Sequence, residues 1–175
     1  MERLINEIKN MSGITLGIGI ENENIKNAIQ KNDSIKTCYL LEENSSKLNK
    51  KKMRIFSYRK TINIKKIKKV FKKKRIDNLI CNYKTIKPFL KTFIRDSVYI
   101  NKGKLYIYGI KEDYNELIKR YNRYTDNIKV EEKNDKILII VDNTNTQNKK
   151  INDIKYWWSD TFSNIADILT SILVN

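Results

Sequence analysis

The chain has 175 residues, of which 40% are hydrophobic, and it carries 36 Lys+Arg against 20 Asp+Glu. Its length suits one domain, and its hydrophobic share excludes a chain that is disordered by composition. Two Cys and no His are too few ligands for a Cys- or His-based zinc site, and catalysis by a His base is excluded. We therefore predict a single domain that spans residues 1–175 and buries its own core.

Two explanations account for the net charge of +16. An excess of Lys and Arg is typical of proteins that bind polyanions such as nucleic acids. Ile, Lys and Asn also supply 80 of the 175 residues, a composition that an A/T-biased genome produces in proteins of every function. Composition alone leaves both explanations open.

The two cysteines point to a reducing compartment. Cys38 and Cys81 each lie within an apolar run, which is typical of small buried side chains rather than of a disulfide framework. The first residues carry charge but no apolar signal core, and no apolar stretch reaches the length of a membrane span. We expect a cytoplasmic protein that does not enter a membrane.

Helices and strands alternate along the first part of the chain. Apolar residues recur at helical spacing up to Met11, and Gly13 then ends that helix. The pattern next predicts a strand at 14–20, a short helix capped by Asn22 or Asn24, a strand at 35–41, a polar loop at 42–52 and a strand at 53–58. The last two of these strands are either parallel or an antiparallel pair.

The second part continues the alternation and closes on a hairpin. A helix is predicted from about Asn63, and Pro88 suits the first turn of a later helix, where its missing N–H costs nothing. The remaining predicted elements are a strand at 76–81, a turn at Lys102-Gly103, a strand at 104–109, a helix at 114–121, a hairpin of 128–132 and 136–141 around Asn134-Asp135, and a final amphipathic helix at 162–173.

This order predicts an α/β fold with a mainly parallel, Rossmann-like sheet flanked by helices and a C-terminal antiparallel hairpin. Short, nearly continuous apolar runs suit strands that are covered on both faces, so 14–20, 76–81 and 104–109 should be adjacent and parallel in that order. Strand 136–141 should lie antiparallel beside 104–109. Ligands of such sheets bind outside the carboxyl ends of the strands, near the loops after Ile20, Leu41 and Cys81.

The order also resembles the class I S-adenosylmethionine-dependent methyltransferases, a seven-stranded Rossmann-like family. Arg75-Ile76-Asp77-Asn78-Leu79-Ile80-Cys81-Asn82-Tyr83 looks like the family's fourth strand and its active-site loop. The stretch 89–109 looks like the following helix and fifth strand, and the hairpin looks like strands six and seven.

The first half matches the family less closely. Leu16-Gly17-Ile18-Gly19-Ile20-Glu21-Asn22-Glu23-Asn24 occupies the place of the glycine-rich cofactor loop. Gly19 matches, Gly17 stands where an acid is usual, and Glu21 and Glu23 replace later glycines. Glu42 and Glu43 stand where the family places an acid on the ribose hydroxyls, although the connection after Glu42 is too short for the usual second helix.

The resemblance implies S-adenosylmethionine as cofactor, held by Gly17, Gly19, Glu21 and Glu42. It implies that Asn82 hydrogen-bonds the methyl acceptor and that Tyr83 stacks on it. Each position has a plainer interpretation. The glycines allow close packing at a strand end, Glu42 lies at a solvated strand end, and Asn82 caps a helix beside a buried thiol.

Lysines on one predicted helix suggest a nucleic-acid surface. The lysine-rich face of this helix, which includes Lys66, Lys69 and Lys73, either binds phosphates or only faces solvent. Tyr156-Trp157-Trp158 either stacks on bases or anchors the last helix, and that helix either completes the core or forms a homodimer. We expect a methyltransferase-like protein that acts on RNA or DNA. The alternative is a non-catalytic nucleic-acid-binding or protein-interaction module on the same fold.

Overall fold

The computed structural model describes residues 1–42, 53–57, 71, 75–111 and 114–144, with strand 53–57 described by its backbone alone. Its strands are β1 Gly13–Ile18, β2 Ile35–Glu42, β3 Met53–Ser57, β4 Ile76–Asn82, β5 Asn101–Ile110, β6 Ile128–Lys133 and β7 Lys136–Asp142. Its helices are α1 Glu2–Lys9, α2 Glu23–Lys31, α3 Tyr83–Ile86, α4 Leu90–Ile100 and α5 Asn115–Tyr121, with a 3₁₀ turn Lys87–Phe89 between α3 and α4.

The strands form one sheet in the order β3-β2-β1-β4-β5-β7-β6. The first five strands in this order are parallel, and β7 lies antiparallel between β5 and β6. The predicted central order of β1, β4 and β5 is confirmed, as is the antiparallel position of β7. Since β1 pairs with both β2 and β4, the strand order reverses at β1 and β4, which places the switch point of the sheet there.

Two predictions about the sheet are wrong. The antiparallel alternative for the second and third strands fails, because β2 and β3 pair in parallel. The expected turn at Lys102-Gly103 is part of β5, which begins directly after α4. The buried Asn101 side chain makes this junction possible, since its amide donates to the backbone carbonyls of Ile76 and Lys104 at 3.3 and 3.4 Å.

Helices cover both faces of the sheet. One face packs against α1 and α2 through buried side chains such as Ile8, Ile25 and Ile80. The opposite face packs against α3, α4 and α5 through side chains such as Leu79, Phe93 and Leu117. Alternate residues of each central strand therefore enter different cores, which is why these strands are apolar at nearly every position.

Local signals in the sequence set several element ends. Asn22 caps α2, since its side chain accepts from the backbone N–H of Asn24 at 2.9 Å. The β6–β7 turn has positive φ at both Asn134 and Asp135, as a two-residue hairpin turn of this hand requires. Among the described residues, no helix has the length and apolarity to cross a bilayer.

Several predictions concern residues outside the described ranges. These are the single-domain extent, the helix from Asn63, Glu43, the lysines at 66, 69 and 73, the aromatic cluster at 156–158 and the final helix with its homodimer. They stay predictions.

Candidate functional site

Four side-chain positions line up across the carboxyl ends of the strands. The register pairs Ile18 with both Leu41 and Cys81, so the residues that follow them lie in one row. That row runs Glu42, Gly19, Asn82 and Tyr108, the last two being register partners themselves. It crosses the switch point and spans three strand spacings, about 14 Å. Three of its four residues are those that the sequence predicts for the site.

Gly19 forms the turn at the end of β1. Its φ is +63°, a conformation that glycine adopts at no steric cost. Its N–H donates to the carbonyl of Leu41 at 2.9 Å, which ties the turn to β2. A Cβ at this position would lie 2.7 Å from the Cβ of Thr85 in α3. The chain therefore needs glycine here for both its dihedral angle and its close approach to Thr85.

Gly17 lies two residues before Gly19, inside β1. A Cβ there would lie 2.5 Å from Ile20 Cδ1 and 2.6 Å from Leu40 Cδ2. Its missing side chain leaves room for core packing between β1, β2 and the chain leading into α2. The close-packing interpretation accounts for Gly17 fully, although a contact with a cofactor is untested.

Glu42 is buried at the end of β2, where its carboxylate forms an ion pair with Lys26 of α2. Lys26 Nζ lies 2.9 Å from Glu42 Oε1, and only 9% of each side chain is exposed. The expectation of a solvated strand end at Glu42 is wrong, because α2 covers it. Glu21, by contrast, is exposed, and Glu23 pairs with Lys26 at 3.3 Å from the solvent side.

Asn82 ends β4 and caps α3. Its side-chain oxygen accepts from the backbone N–H of Lys84 at 3.1 Å, so the amide group is held at the carboxyl edge with its Nδ2 available to donate. Tyr83 belongs to the core beneath α3 and is 4% exposed, while Lys87 Nζ lies 6.0 Å from its ring centroid. Stacking of Tyr83 on an acceptor, which stays untested, requires the ring to leave that core.

Tyr108 completes the row and was not singled out in the sequence, where it is one aromatic residue of an apolar strand. Its hydroxyl is buried and donates to the carbonyl of Gly19 at 3.5 Å. Burial, Cys81 and the Glu21 carboxylate raise the pKa of Tyr108, against a backbone hydrogen bond from Glu21 that lowers it. The phenol stays protonated and pins the turn after β1 to β5.

The two thiols lie in the core near this edge. Cys38 and Cys81 are both buried and free, as the sequence predicts. Burial and the charge of Glu42 raise the pKa of Cys38 to about 12, and burial raises the pKa of Cys81. Neither is a thiolate nucleophile at neutral pH.

A cavity of about 380 Å³ adjoins the row on the α1 face. It is lined by residues at the start of α1 and in the β6–β7 hairpin, together with Tyr108 and Gly109 of β5. Charged side chains of both signs surround its mouth, among them Arg3, Glu131 and Lys136. Its volume lies in the range of small-ligand pockets.

The strand order decides the fold family. A Rossmann sheet runs 3-2-1-4-5-6, and here a seventh strand is inserted antiparallel between β5 and β6. No family model and no curated protein sequence matches the chain. Solved structures do match.

Three methyltransferase structures illustrate the similarity. A precorrin-6y C5,15-methyltransferase of Geobacter metallireducens gives a TM-score of 0.60 at 10% identity, over 79% of this chain and 83% of the other. A predicted O-methyltransferase of Agrobacterium tumefaciens gives 0.59 at 11% identity, over 79% of both chains. TrmK of M. capricolum, bound to S-adenosylhomocysteine, gives 0.54 at 15% identity, over 95% of this chain and 85% of the other.

The chain has the class I methyltransferase fold. On that fold the row from Glu42 to Tyr108 lies at the edge where ligands bind. A buried carboxylate at a strand end can accept hydrogen bonds from ribose hydroxyls, whereas Thr85 occupies the space beside Gly19. Among the described residues no cluster of His, Cys, Asp and Glu could hold a metal ion.

Proposed function

We propose that this protein binds S-adenosylmethionine at the row Glu42–Gly19–Asn82–Tyr108 and transfers its methyl group to a nucleic acid. The observation that carries the proposal is the convergence of these four residues at the switch point of a methyltransferase-like sheet. Each comes from a different strand or strand end, so only the folded chain brings them together.

Each residue of the row has a distinct part in this proposal. Glu42, beside the turn that leads from Gly19 into α2, accepts the ribose hydroxyls. Asn82 donates from Nδ2 to the methyl acceptor, because its side-chain oxygen already caps α3. The cofactor supplies an activated methyl group, so the protein's main contribution is to hold the acceptor in line with it.

The acceptor reaches the row through the cavity between α1 and the hairpin. Tyr108 and Gly109 of β5 line this cavity, and β5 pairs with β4, which ends at Asn82. A cavity of about 380 Å³ is in the range of pockets that enclose small ligands or parts of larger ones. An unstacked base is the part of a nucleic acid that such a cavity suits.

The distribution of charge supports a nucleic-acid acceptor. Residues 43–75 contain 15 of the 36 Lys+Arg and one of the 20 Asp+Glu, so this segment carries a net charge of +14. The remaining 142 residues contain 21 basic and 19 acidic residues and are nearly neutral. A codon bias would raise the lysine content along the whole chain, whereas the excess of positive charge lies in one segment.

In the sequence, that segment lies between described strands of the sheet. It begins after Glu42, includes the edge strand β3 and ends at the start of β4. The basic segment therefore starts one residue after Glu42, which we assign to the ribose. A concentrated positive charge attracts phosphates and releases their counterions.

Calorimetric titration with S-adenosylmethionine and S-adenosylhomocysteine tests the cofactor. We expect micromolar binding of both, and a Glu42→Gln variant should bind each more weakly by about tenfold, since a hydrogen bond to a charged group is lost. A matched Asp33→Asn variant in the exposed turn after α2 should bind as the wild type does. The enzyme proposal fails if the wild type gives no heat at millimolar ligand.

Retention on heparin and binding to labelled RNA and DNA test the acceptor class. The triple variant Lys66→Glu, Lys69→Glu and Lys73→Glu should bind more weakly, with a smaller dependence on salt. The control variant changes Lys119, Arg123 and Lys129 to Glu, which alters the net charge equally at exposed sites elsewhere. Equal losses in both variants would show a response to net charge alone and would remove the basic segment as the interface.

A second candidate function is nucleic-acid binding without catalysis. The close approach of Thr85 to Gly19 favours it, because Thr85 takes space beside the turn that the cofactor would use. Salt-dependent nucleic-acid binding together with no calorimetric response to either cofactor form identifies this function.

A further inference from the structure

Lys26 is a buried cation at the candidate site. It lies in α2, is 7% exposed, and follows Ile25 on the face of the helix that packs against the sheet. Its Nζ contacts Glu42 at 2.9 Å and Glu23 at 3.3 Å. Lysine is rarely buried to this extent unless it is paired, so the pairing with Glu42 explains how α2 accommodates the charge.

The contacts with Glu42 and Glu23 keep Lys26 charged in its buried position. Burial acts to lower the pKa of Lys26, but the hydrogen bond and charge of Glu42, joined by those of Glu23, outweigh it and raise the pKa. The carboxylate gains a fixed donor on the side of α2. A carboxylate whose orientation is fixed can accept from two neighbouring hydroxyl groups.

Stability alone is a weak reason for such a pair. Two apolar residues of similar volume stabilise a protein interior as well as a buried ion pair does, and often better. The pair also lies at one end of the row to which we assign the nucleoside, rather than at the amino edge or in the centre of either core. Its position therefore points to ligand binding.

We propose that Lys26 is a positioning residue for the nucleoside, holding the Glu42 carboxylate oriented toward the two ribose hydroxyls. This rests on the proposed function, since it assumes that Glu42 faces a ribose. It goes beyond that function by assigning a role to a helix residue that does not itself touch the ligand.

The test compares S-adenosylhomocysteine with its 2′-deoxy analogue by calorimetry. The wild type should bind the ribose form about tenfold more tightly, the effect of one hydrogen bond to a charged group. In Lys26→Met the preference should fall to about twofold, since a misplaced carboxylate no longer distinguishes the two sugars. A purely structural role would weaken both ligands equally and leave their ratio unchanged.

Three further variants complete the experiment. Lys26→Arg keeps the charge and should keep most of the ribose preference, while Lys26→Gln, a second test that keeps a donor, should give an intermediate ratio. Lys31→Met, on the exposed last turn of the same helix, should match the wild type. Circular dichroism confirms that each variant is folded.

The outcomes separate the two proposals. No binding of S-adenosylhomocysteine by the wild type contradicts the proposed function. Binding without a ribose preference in the wild type, or an unchanged preference in both Lys26→Met and Lys26→Gln, overturns the positioning role and leaves cofactor binding intact.

Discussion

The turn at Gly19 lies directly against Thr85 of α3. The Cβ of Thr85 would be 2.7 Å from a Cβ at Gly19, closer than side-chain carbons approach in folded proteins. The first strand and the helix after the fourth strand, 66 positions apart, thus meet at a point where only glycine fits. This contact fixes the shape of the candidate site.

Gly19→Ala should destabilise the protein by about 2 kcal/mol, because a positive φ is strained for alanine and the new methyl group displaces Thr85. Urea unfolding monitored by circular dichroism measures the change. Gly109→Ala is the matched control, since its Cβ would lie 3.1 Å from Tyr83 on an ordinary strand backbone, and it should cost clearly less. Equal costs at both positions would contradict the argument from φ.

Tyr108→Phe should change the dependence of stability on pH. Burial, Cys81 and Glu21 raise the folded pKa of Tyr108 above its unfolded value of about 10, so its stabilising contribution is complete below pH 10 and is lost as the pH rises through the folded pKa. Near neutral pH the variant should be less stable by about 1 kcal/mol, for the lost hydrogen bond to Gly19.

Above pH 10 the free energy of unfolding of the wild type should fall by about 1.4 kcal/mol per pH unit because of Tyr108 alone. The variant lacks this ionisable group and should not show this decrease. The two stability curves should therefore cross between pH 10 and 12. Urea unfolding at steps of half a pH unit checks this, and parallel curves would show that Tyr108 ionises equally in the folded and unfolded states.

Breaking the Lys26–Glu42 pair should cost more than replacing it. Lys26→Met leaves a buried carboxylate without its cation and should lower the free energy of unfolding by about 3 kcal/mol. The double variant Lys26→Met, Glu42→Leu should recover most of this loss, because the two apolar side chains pack where the charges were. Chemical denaturation of these two variants and of the single variant Glu42→Leu measures the coupling, and additive losses would mean that the two residues do not interact.

A pair of asparagines on the side of the sheet away from the row allows stability to be changed without changing ligand affinity. Asn143 Nδ2 donates to Asn101 Oδ1 at 3.0 Å, and both side chains are fully buried. Asn101→Ala removes the bond from Asn143 and the bonds that Asn101 donates to the carbonyls of Ile76 and Lys104. This variant should cost about 2 kcal/mol. Affinity for S-adenosylhomocysteine, measured on folded protein, should stay at the wild-type value because the pair lies on the side of the sheet where the parallel strands begin.

The observed cap and the proposed donor role of Asn82 can be separated by substitution. Asn82→Ala should lower stability by about 1 kcal/mol through loss of the α3 cap, whereas Asn82→Asp keeps a capping oxygen and the stability. Asp lacks the Nδ2 donor, so methyl transfer to RNA or DNA should fall by about 100-fold, as the loss of one oriented donor does elsewhere. Unchanged turnover in the Asp variant would limit Asn82 to capping.

Among the described residues, the sequence by itself determined the seven strands and much of their order in space. The apolar runs at β1, β4 and β5 predicted adjacent parallel strands, because strands covered on both faces have few polar positions. Asn134-Asp135 predicted the closing hairpin, and Asn22 the start of α2, because turns and caps depend on a few neighbouring residues. Gly19, Glu42 and Asn82 were placed at the ligand edge from the family resemblance.

The tertiary structure decided what each of those residues contacts. Glu42 follows an apolar strand and precedes a lysine-rich segment, and nothing in that pattern predicts that Lys26, 16 positions earlier, covers it. The sequence pattern of α2 is equally compatible with a lysine at position 26 that faces solvent. Tyr108 and Thr85 became part of the site only because β5 and α3 bring them to the turn after β1. Local sequence sets local structure, whereas burial and pairing depend on the distant segments that the sheet order brings together.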